Sequence, residues 1–189
     1  MSSLSKKSNS KILYLLPLFL FIVMVAVLAS GLGKDPTKLD SQMIGKSLPI
    51  FQKTLLFDKT KLISEKDIKG PALINVFASW CPSCYHEHPH LMKLAESKSV
   101  KIYGLNYKDK RDKGLKFIRD LGNPYDKIVF DDNGRLGIDL GVYGAPETFV
   151  VNTANQVVYR HVGIVTQQVW LELLKPKMFA EQKAGKAAR

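Results

Sequence analysis

Cysteine is scarce in this sequence: two residues in a chain of 189. Two cysteines cannot staple a small disulfide-rich scaffold. Acidic residues are also outnumbered, 17 Asp and Glu against 28 Lys and Arg, for a formal net charge of +11. Hydrophobic residues nevertheless make up 46% of the chain, which excludes a disordered or collagen-like protein. A chain of this length has room for one domain with a sizeable core, but not for a large multidomain enzyme.

Charge is absent from Ile12 to Leu32. As a helix, this run is about 30 Å long, which matches the hydrocarbon core of a bilayer. We therefore predict a transmembrane anchor. A cleaved signal peptide is the alternative, but the run is longer than the ~7–15 apolar residues of a usual signal core.

Basic residues mark the predicted cytoplasmic side of this anchor. Lys6, Lys7 and Lys11 precede the apolar run, so the positive-inside tendency keeps the N-terminus in the cytoplasm and exports the rest, to the periplasm in a bacterium. The remaining basic residues are interleaved with acids, which indicates a solvated face and no nucleic-acid groove. The predicted segments are a cytoplasmic N-terminus (1–11), the transmembrane anchor (12–32), a linker (33–46), a periplasmic domain (47–180) and a basic C-terminal tail (181–189).

Strand and helix patterns alternate through the exported part, which predicts an α/β fold. The apolar run Ala72–Phe77 predicts a buried central strand, and a helix follows through Leu94. The next strand, Val100–Leu105, then lies parallel to the first through a right-handed crossover. The other predicted elements are an edge strand at Leu48–Leu56, a helix at about Asp112–Leu121, a strand at Lys127–Phe130, a hairpin formed by 148–151 and 157–160, and a last helix from near Thr166.

Two cysteines two residues apart stand where the central strand gives way to this helix. The first helical turn presents unpaired N–H groups and the positive end of the helix dipole, so it favours a thiolate at Cys81. Cys84 is one turn deeper and can close a small disulfide ring. We predict that Cys81 attacks and Cys84 resolves. A permanent structural disulfide is the alternative, although so small a ring constrains the unfolded chain little.

Histidines crowd the second cysteine, which raises the alternative of a zinc site. Cys84, His86, His88 and His90 are close in sequence, but Pro89 interrupts their helix. No second pair of cysteines or distant pair of histidines completes a tetrahedral ligand set. We predict no metal, and surface histidines are the simpler interpretation.

Three stretches resemble one known family. WCPSCYHEHP, GLNYKDKRDKGLKFIRDLGNPY and GVYGAPETFVV are similar to the DsbE family of thiol:disulfide interchange proteins, also called CcmG, within the thioredoxin superfamily. The resemblance covers nearly the whole chain. It implies a thioredoxin-like fold with a central insert around Tyr107–Leu140, preceded by one transmembrane helix.

The resemblance also implies a client-binding loop. Pro146 matches the cis-proline that faces the disulfide in thioredoxin-like folds, where the Ala145 backbone would pair with an extended client strand beside Cys81. The chain has Asn75 where thioredoxin has a buried aspartate, so another group must take the proton of the resolving thiol. The predicted client-binding residues are Trp80, Pro82, Tyr143, Ala145, Pro146 and Glu147.

Two glutamates are candidates for the acid–base chemistry. Glu87 follows Cys84 by one helical turn, and partial burial would raise its pKa so that it accepts the Cys84 proton. Glu147 would add negative charge to the client groove. A solvated surface charge is the alternative for both residues.

Taken with the resemblance, these residues predict a tethered reductant. Apocytochrome c, or a thiol-bearing maturation partner, is the expected client, because haem attachment needs free thiols in an oxidising compartment. The resemblance implies that a DsbD-type membrane reductant returns the electrons, and no dissociable cofactor is expected. A thiol oxidase or isomerase and a nonenzymatic Cys/His metal-binding module remain as alternatives.

Overall fold

One seven-stranded sheet organises the chain from Gln52 onward in the computed structural model, which describes residues 10–32 and 42–180. Its strands are β1 (Gln52–Leu55), β2 (Leu62–Ser64), β3 (Ala72–Phe77), β4 (Lys101–Tyr107), β5 (Lys127–Asp131), β6 (Glu147–Val151) and β7 (Val157–Val162). They lie in the order β2-β1-β5-β4-β3-β6-β7. The pairs β3–β4 and β4–β5 are parallel, and the other pairs are antiparallel. The α/β fold and the parallel crossover are therefore confirmed.

Helix α1 (Ser10–Leu32) precedes the strands in sequence. Helices α2 (Pro82–Glu96) and α3 (Arg111–Leu121) connect the two parallel strand pairs, and α4 (Arg135–Leu140) follows β5. A 3₁₀ turn, Glu65–Asp67, follows β2. The C-terminal helical segment is α-helical at Gln167–Val169, π-helical at Trp170–Leu174 and α-helical again at Lys175–Met178. Thr166 caps its first turn by accepting the Val169 N–H, as expected for a helix starting near that residue.

Strand β3 is buried on both faces because the chain packs a separate core on each side of the sheet. Leu73 and Phe77 face a core that includes Leu91 of α2 and Phe117 of α3. The intervening residues Ala72, Ile74 and Val76 face a second core with Leu136 and Leu140 of α4. The two-residue period of a strand thus sends Asn75 to the α2 side. This strand carries the cysteine loop at its C-terminal end.

Helix α1 is a unit of its own. Its side chains are described for residues 15–30, and its apolar residues in that stretch are exposed. Within the described part of the chain, no helix is long and apolar enough to cross a membrane. The transmembrane anchor therefore stays a prediction from the sequence.

The sequence pattern predicted the first two strands, β1 and β2, least well. The predicted edge strand Leu48–Leu56 is wrong in extent and position, because β1 begins only at Gln52 and lies between β2 and β5. Pro49 cannot donate to a ladder, so pairing starts after it. The three-residue β2, which forms the true edge, and α4 were not predicted. The region of the expected insert, Tyr107–Leu140, contains α3, β5 and α4.

The predicted segment boundaries meet the structure only in part. Gly45 donates its N–H to the Val157 carbonyl, and Lys46 accepts from Val157 N, so the last residues of the predicted linker 33–46 already pair with β7. Residues 33–41, the N-terminus 1–9 and the tail 181–189 lie outside the described residues.

Aromatic stacking at the end of β3 yields a stability prediction. Phe77 is fully buried, and its ring centroid lies 4.9 Å from that of Tyr125 and 5.5 Å from that of Phe117. We expect Phe77→Ala to lower the free energy of unfolding by about 3–5 kcal/mol, the usual cost of emptying a buried aromatic site. Urea denaturation measures it. Phe57→Ala, which truncates an exposed ring, is the control, and an equal loss in both variants would contradict the packing argument.

Candidate active site

Cys81 and Cys84 form a disulfide at the start of α2, with their Cα atoms 5.4 Å apart. Cys81 is the N-cap residue, and its Sγ accepts the backbone N–H of Cys84 at 3.2 Å. Pro82 occupies the first helical position, where its missing N–H costs nothing. After reduction, the same N–H and the helix dipole stabilise a thiolate at Cys81. The local sequence thus builds both the helix start and the activated sulfur.

A second loop lies against the first sulfur. The Ala145–Pro146 peptide bond is cis, as the resemblance implied. The carbonyl oxygen of Ala145 lies 3.2 Å from Cys81 Sγ. In the dithiol form the Cys81 thiol can donate a hydrogen bond to this oxygen. The structure therefore brings together the cysteine loop and the proline loop that are 64 residues apart in sequence.

The rim around the disulfide is exposed, whereas the sulfurs are not. Cys81 and Cys84 are each 2% exposed, but Trp80 is 51% and Tyr143 is 71% exposed. Pro82 is also exposed. An attacking thiol reaches Cys81 only if its chain docks closely on this rim. Exposed aromatic rings supply apolar contact area for such docking.

Two contacts hold the cysteine loop to the loop between β4 and α3. The Trp80 indole N–H donates to the Lys108 carbonyl at 3.0 Å. Asp109 accepts the backbone N–H and the hydroxyl of Ser79, both at 2.7 Å. These contacts hold the backbone between the end of β3 and Cys81 in place. No local pattern around Asp109 indicates this role.

Glu147 is not where the sequence predicted. The prediction that it lends charge to the client groove is wrong, because Glu147 is only 1% exposed. One carboxylate oxygen accepts the backbone N–H groups of Tyr143 and Gly144, at 2.9 and 3.0 Å. The other forms a buried ion pair with Arg160 at 2.8 Å. The Glu147 carboxylate, paired with Arg160, thus fixes the backbone of the loop that leads to Pro146.

Arg160 connects this ion pair to the exposed rim. Its guanidinium carbon lies 4.7 Å from the centroid of the Tyr143 ring, a cation–π distance. Arg160 of strand β7 thus contacts the exposed ring of Tyr143 and helps to keep it in place. Sequence reasoning missed Arg160, since nothing in its strand marks it as buried.

Glu87 lies on the sheet side of α2. Its carboxyl group is buried and forms no ion pair with another described residue. Burial raises its pKa from 4.5 to about 7, and hydrogen bonds from Val165 and Asn75 act in the opposite direction. The Val165 N–H donates to Oε1 at 2.8 Å, and Asn75 Nδ2 donates to Oε2 at 2.9 Å. The predicted rise in its pKa is confirmed. A carboxyl with this pKa can gain or lose a proton near neutrality.

Asn75 links Glu87 to two further buried side chains. Asn75 Nδ2 also donates to Thr148 Oγ1 at 3.0 Å, and Tyr125 donates its hydroxyl to Asn75 Oδ1 at 2.8 Å. Burial raises the pKa of Tyr125 well above its ordinary value, and the Glu87 charge adds to the rise. In the sequence, Asn75 is interpreted only as the residue that stands in place of the buried aspartate of thioredoxin. A polar residue inside a fully apolar strand was the available signal.

The histidines beside Cys84 do not form a cluster. His88 is buried, its Nε2 lies 3.0 Å from the Gly122 carbonyl oxygen, and its ring packs edge-on against Phe117. Burial lowers the pKa of His88. Across residues 10–32 and 42–180, no three His, Cys, Asp or Glu side chains converge as metal ligands.

The buried carboxyl makes stability depend on pH. Below about pH 4.5 both folded and unfolded chains hold the Glu87 proton, and above about pH 7 neither does. Between these values the folded state binds the proton more tightly, so rising pH destabilises it. We expect the free energy of unfolding of the wild type, relative to Glu87→Gln, to fall by about 3 kcal/mol across this window.

Urea denaturation of the disulfide form at several pH values measures this difference. Glu96 is exposed on the same helix, so Glu96→Gln is the matched control and supplies the baseline. A difference between wild type and Glu87→Gln that stays constant with pH would contradict the burial argument.

Comparisons with known proteins agree with this geometry. A family model described as Redoxin matches residues 43–172. The thiol:disulfide interchange protein DsbE of Vibrio cholerae is 50% identical over 184 residues, covering 93% of this chain and 99% of that protein. DsbE of Escherichia coli is 42% identical over 170 residues, covering 86% and 91%.

A solved structure extends the agreement to the fold. The thio-disulfide isomerase from Thermus thermophilus is 25% identical and superposes with a TM-score of 0.58, covering 69% of this chain and 94% of that one. The expected thioredoxin-like fold is thereby confirmed. The chain belongs to the DsbE family of thiol:disulfide interchange proteins, and it is a thiol:disulfide oxidoreductase.

Proposed function

We propose that this oxidoreductase works as a membrane-anchored reductant in the periplasm. Its clients are disulfides of apocytochrome c, or of a thiol-bearing partner in cytochrome c maturation. The exchange itself is the chemistry of the family. The direction of electron flow, the client and the location are the proposal.

The observation that carries the direction is the environment of the two sulfurs. Cys81 Sγ lies 3.2 Å from the Ala145 carbonyl oxygen, whose negative end opposes a thiolate and accepts from a thiol. The Cys84 N–H and the positive end of the α2 dipole act in the other direction at Cys81. The buried carboxyl of Glu87 lies one turn beyond Cys84. We infer that the Ala145 carbonyl and the Glu87 carboxylate outweigh the N–H and the dipole. Disfavoured thiolates make the dithiol form less stable relative to the disulfide, so the pair then tends to give electrons away.

The reaction balances over two exchanges. The Cys81 thiolate attacks one client sulfur, the client disulfide breaks, and a client thiolate leaves and takes a proton from solvent. Cys84 then transfers its proton to the Glu87 carboxylate, and its sulfur attacks Cys81 in the mixed disulfide. The second client thiolate leaves, and Glu87 releases its proton. The client gains two electrons, and Cys81 and Cys84 end as the observed disulfide.

Client selection follows from access. Because Cys81 is nearly buried, a disulfide reaches it only on a chain that fits between the exposed Trp80 and Tyr143. The Ala145 backbone beside Cys81 offers an edge for an extended client segment. Pro82 extends the same rim. This arrangement suits a selective reductant better than a general one.

The proposed location explains why a reductant is needed. The charge-free run 12–32, with lysines before it, supports a single-pass anchor in the bacterial inner membrane with a cytoplasmic N-terminus. The domain would then work in an oxidising compartment, where client cysteines pair unless they are reduced. A DsbD-type membrane reductant would regenerate the dithiol by the same exchange. No nucleic acid and no dissociable cofactor takes part.

Trapping tests the division of labour between the cysteines. We expect Cys84→Ala to accumulate mixed disulfides between Cys81 and its clients, because nothing resolves them, and Cys81→Ala to accumulate none. Non-reducing gels followed by identification of the captured protein measure both. Capture of apocytochrome c or a maturation partner supports the proposed client. Equal capture by the two variants would contradict the assigned roles.

Equilibration with glutathione tests the direction. We expect the Cys81–Cys84 pair to be at least as reducing as thioredoxin, about −270 mV, and far from the strongly oxidising value of about −120 mV. The fraction of dithiol is measured over a series of glutathione ratios in the full-length chain. A value near the oxidising end would replace the reductant assignment with that of an oxidase or isomerase.

A further inference from the structure

We propose that Tyr125 is a positioning residue for the resolving step: its hydroxyl fixes the side-chain amide of Asn75 so that an N–H faces the Glu87 carboxylate. The inference deepens the proposed function and rests on Glu87 accepting the Cys84 proton. Tyr125 touches neither sulfur and acts through Asn75.

Four hydrogen bonds define the arrangement. The Tyr125 hydroxyl donates to Asn75 Oδ1 at 2.8 Å. Asn75 Nδ2 donates to Glu87 Oε2 at 2.9 Å and to Thr148 Oγ1 at 3.0 Å. The Val165 N–H occupies the other Glu87 oxygen at 2.8 Å. The side chains involved are all buried, so water does not compete for these groups.

The two ends of an asparagine amide are nearly equal in shape but opposite in hydrogen bonding. An ionised carboxylate only accepts, so Asn75 stabilises Glu87 only with its nitrogen forward. Thr148 and Tyr125 both carry hydroxyls that can donate or accept, but in the structure Thr148 accepts from Asn75 and Tyr125 donates to it. A reversed Asn75 amide would turn its N–H groups toward the Tyr125 hydroxyl, whose proton would then lose its acceptor. A buried donor left without a partner is costly.

Packing keeps the Tyr125 hydroxyl in place. Its ring stacks on Phe77 with centroids 4.9 Å apart and meets the His88 ring edge-on at 6.3 Å. Gly104 leaves room for the ring, because a Cβ there would lie 3.1 Å from Tyr125 Cγ. The ring cannot swing away without opening this cluster. The amide of Asn75 is therefore held by a rigid donor.

Few other groups act on the Glu87 charge. On its own helix, Cys84 precedes Glu87 by one turn and His88 follows it directly. The charge of Glu87 acts on Tyr125, between β4 and β5, and the loop after β7 donates the Val165 N–H to Glu87. Strands β3 and β6 present the neutral side chains Asn75 and Thr148. No Lys or Arg of the described residues forms an ion pair with Glu87. The carboxylate therefore depends on two N–H donors, and Tyr125 controls one of them.

The substitution Tyr125→Phe removes the hydroxyl that donates to Asn75 Oδ1 and keeps the aromatic ring. The Asn75 amide can then turn, and its oxygen can accept from a protonated Glu87. The neutral acid gains a partner, so the pKa of Glu87 rises and less carboxylate is present at neutral pH. Proton transfer from Cys84 slows there, but not at a pH where Glu87 is fully ionised.

Single-turnover kinetics of the full-length chain provide the test. The dithiol protein is mixed with oxidised glutathione, and release of glutathione from the Cys81 mixed disulfide is followed from about pH 5.5 to about pH 9. We expect Tyr125→Phe to move the midpoint of the rate upward, with a loss of about threefold or more near pH 7 and none near pH 9. Tyr103→Phe is the matched control: Tyr103 is also buried and its hydroxyl bonded, to the Lys69 N–H.

A second measurement does not depend on turnover. The Glu87 carboxyl is titrated by ¹³C NMR in the disulfide form of the wild type and of Tyr125→Phe, where only folded molecules give the native signal. A higher midpoint in Tyr125→Phe supports the proposal. An unchanged midpoint overturns it.

The outcomes separate this inference from the proposed function. If Tyr125→Phe slows the step equally at every pH, or behaves as Tyr103→Phe does, the positioning role of Tyr125 is wrong and the role of Glu87 stands. If Glu87→Gln keeps the wild-type pH profile, Glu87 does not accept the proton and both proposals fail.

Discussion

A carboxyl group held inside the protein by two N–H donors is the constraint on which this site depends. Glu87 can be buried because Asn75 from β3 and the Val165 backbone from the loop after β7 each offer it a hydrogen bond. Three separate parts of the chain must therefore meet at one point, one helical turn beyond the disulfide. Burial and hydrogen bonding act against each other, and their balance leaves a pKa of about 7. The same contacts that complete the core thus set the proton affinity of the carboxyl that we propose as the acceptor for Cys84.

The disulfide lies between the loop that precedes Cys81 and the loop that precedes Pro146. Hydrogen bonds to buried or backbone groups hold each loop in place. On one side, Asp109 and the Lys108 carbonyl bind Ser79 and Trp80 before the first cysteine. On the other side, buried Glu147 ties together the backbone before Pro146. Neither anchor touches a sulfur. Between them they leave Cys81 only a narrow approach, and reactivity is thereby joined to recognition of the client.

Local sequence predicted the parts of the site that are local in the fold. The buried strand Ala72–Phe77, the helix that follows it and the cysteine pair come from one continuous stretch, so periodicity and spacing described them correctly. The cis bond before Pro146 and the thioredoxin-like fold came from family resemblance, since no local pattern distinguishes cis from trans. Glu87 was found because helical spacing relates it to Cys84.

What the sequence missed depends on distant partners. Tyr125 and Thr148 meet Asn75 across 50 and 73 residues, and no window of sequence contains such pairs. Glu147 was predicted to lie in the groove because its ion-pair partner, Arg160, comes from the neighbouring strand and is distant in sequence. The short strand β2 is paired with β1 over three residues, too few for an alternation to stand out. Pattern reasoning thus located the sulfurs and overlooked the buried hydrogen-bond network around Glu87.

The buried ion pair behind the proline loop also has a consequence for affinity. Arg160 and Glu147 fix the backbone at Tyr143 and Gly144 before any client arrives. Under the proposed function, a client strand docking beside Ala145 would meet a loop whose conformational entropy was already lost on folding, so more of the contact energy would remain available for binding. Rigidity in the receptor lets a short, unstructured segment bind without a large interface. That property would suit the proposed client, which would bind while it is still unfolded and leave once its thiols are free.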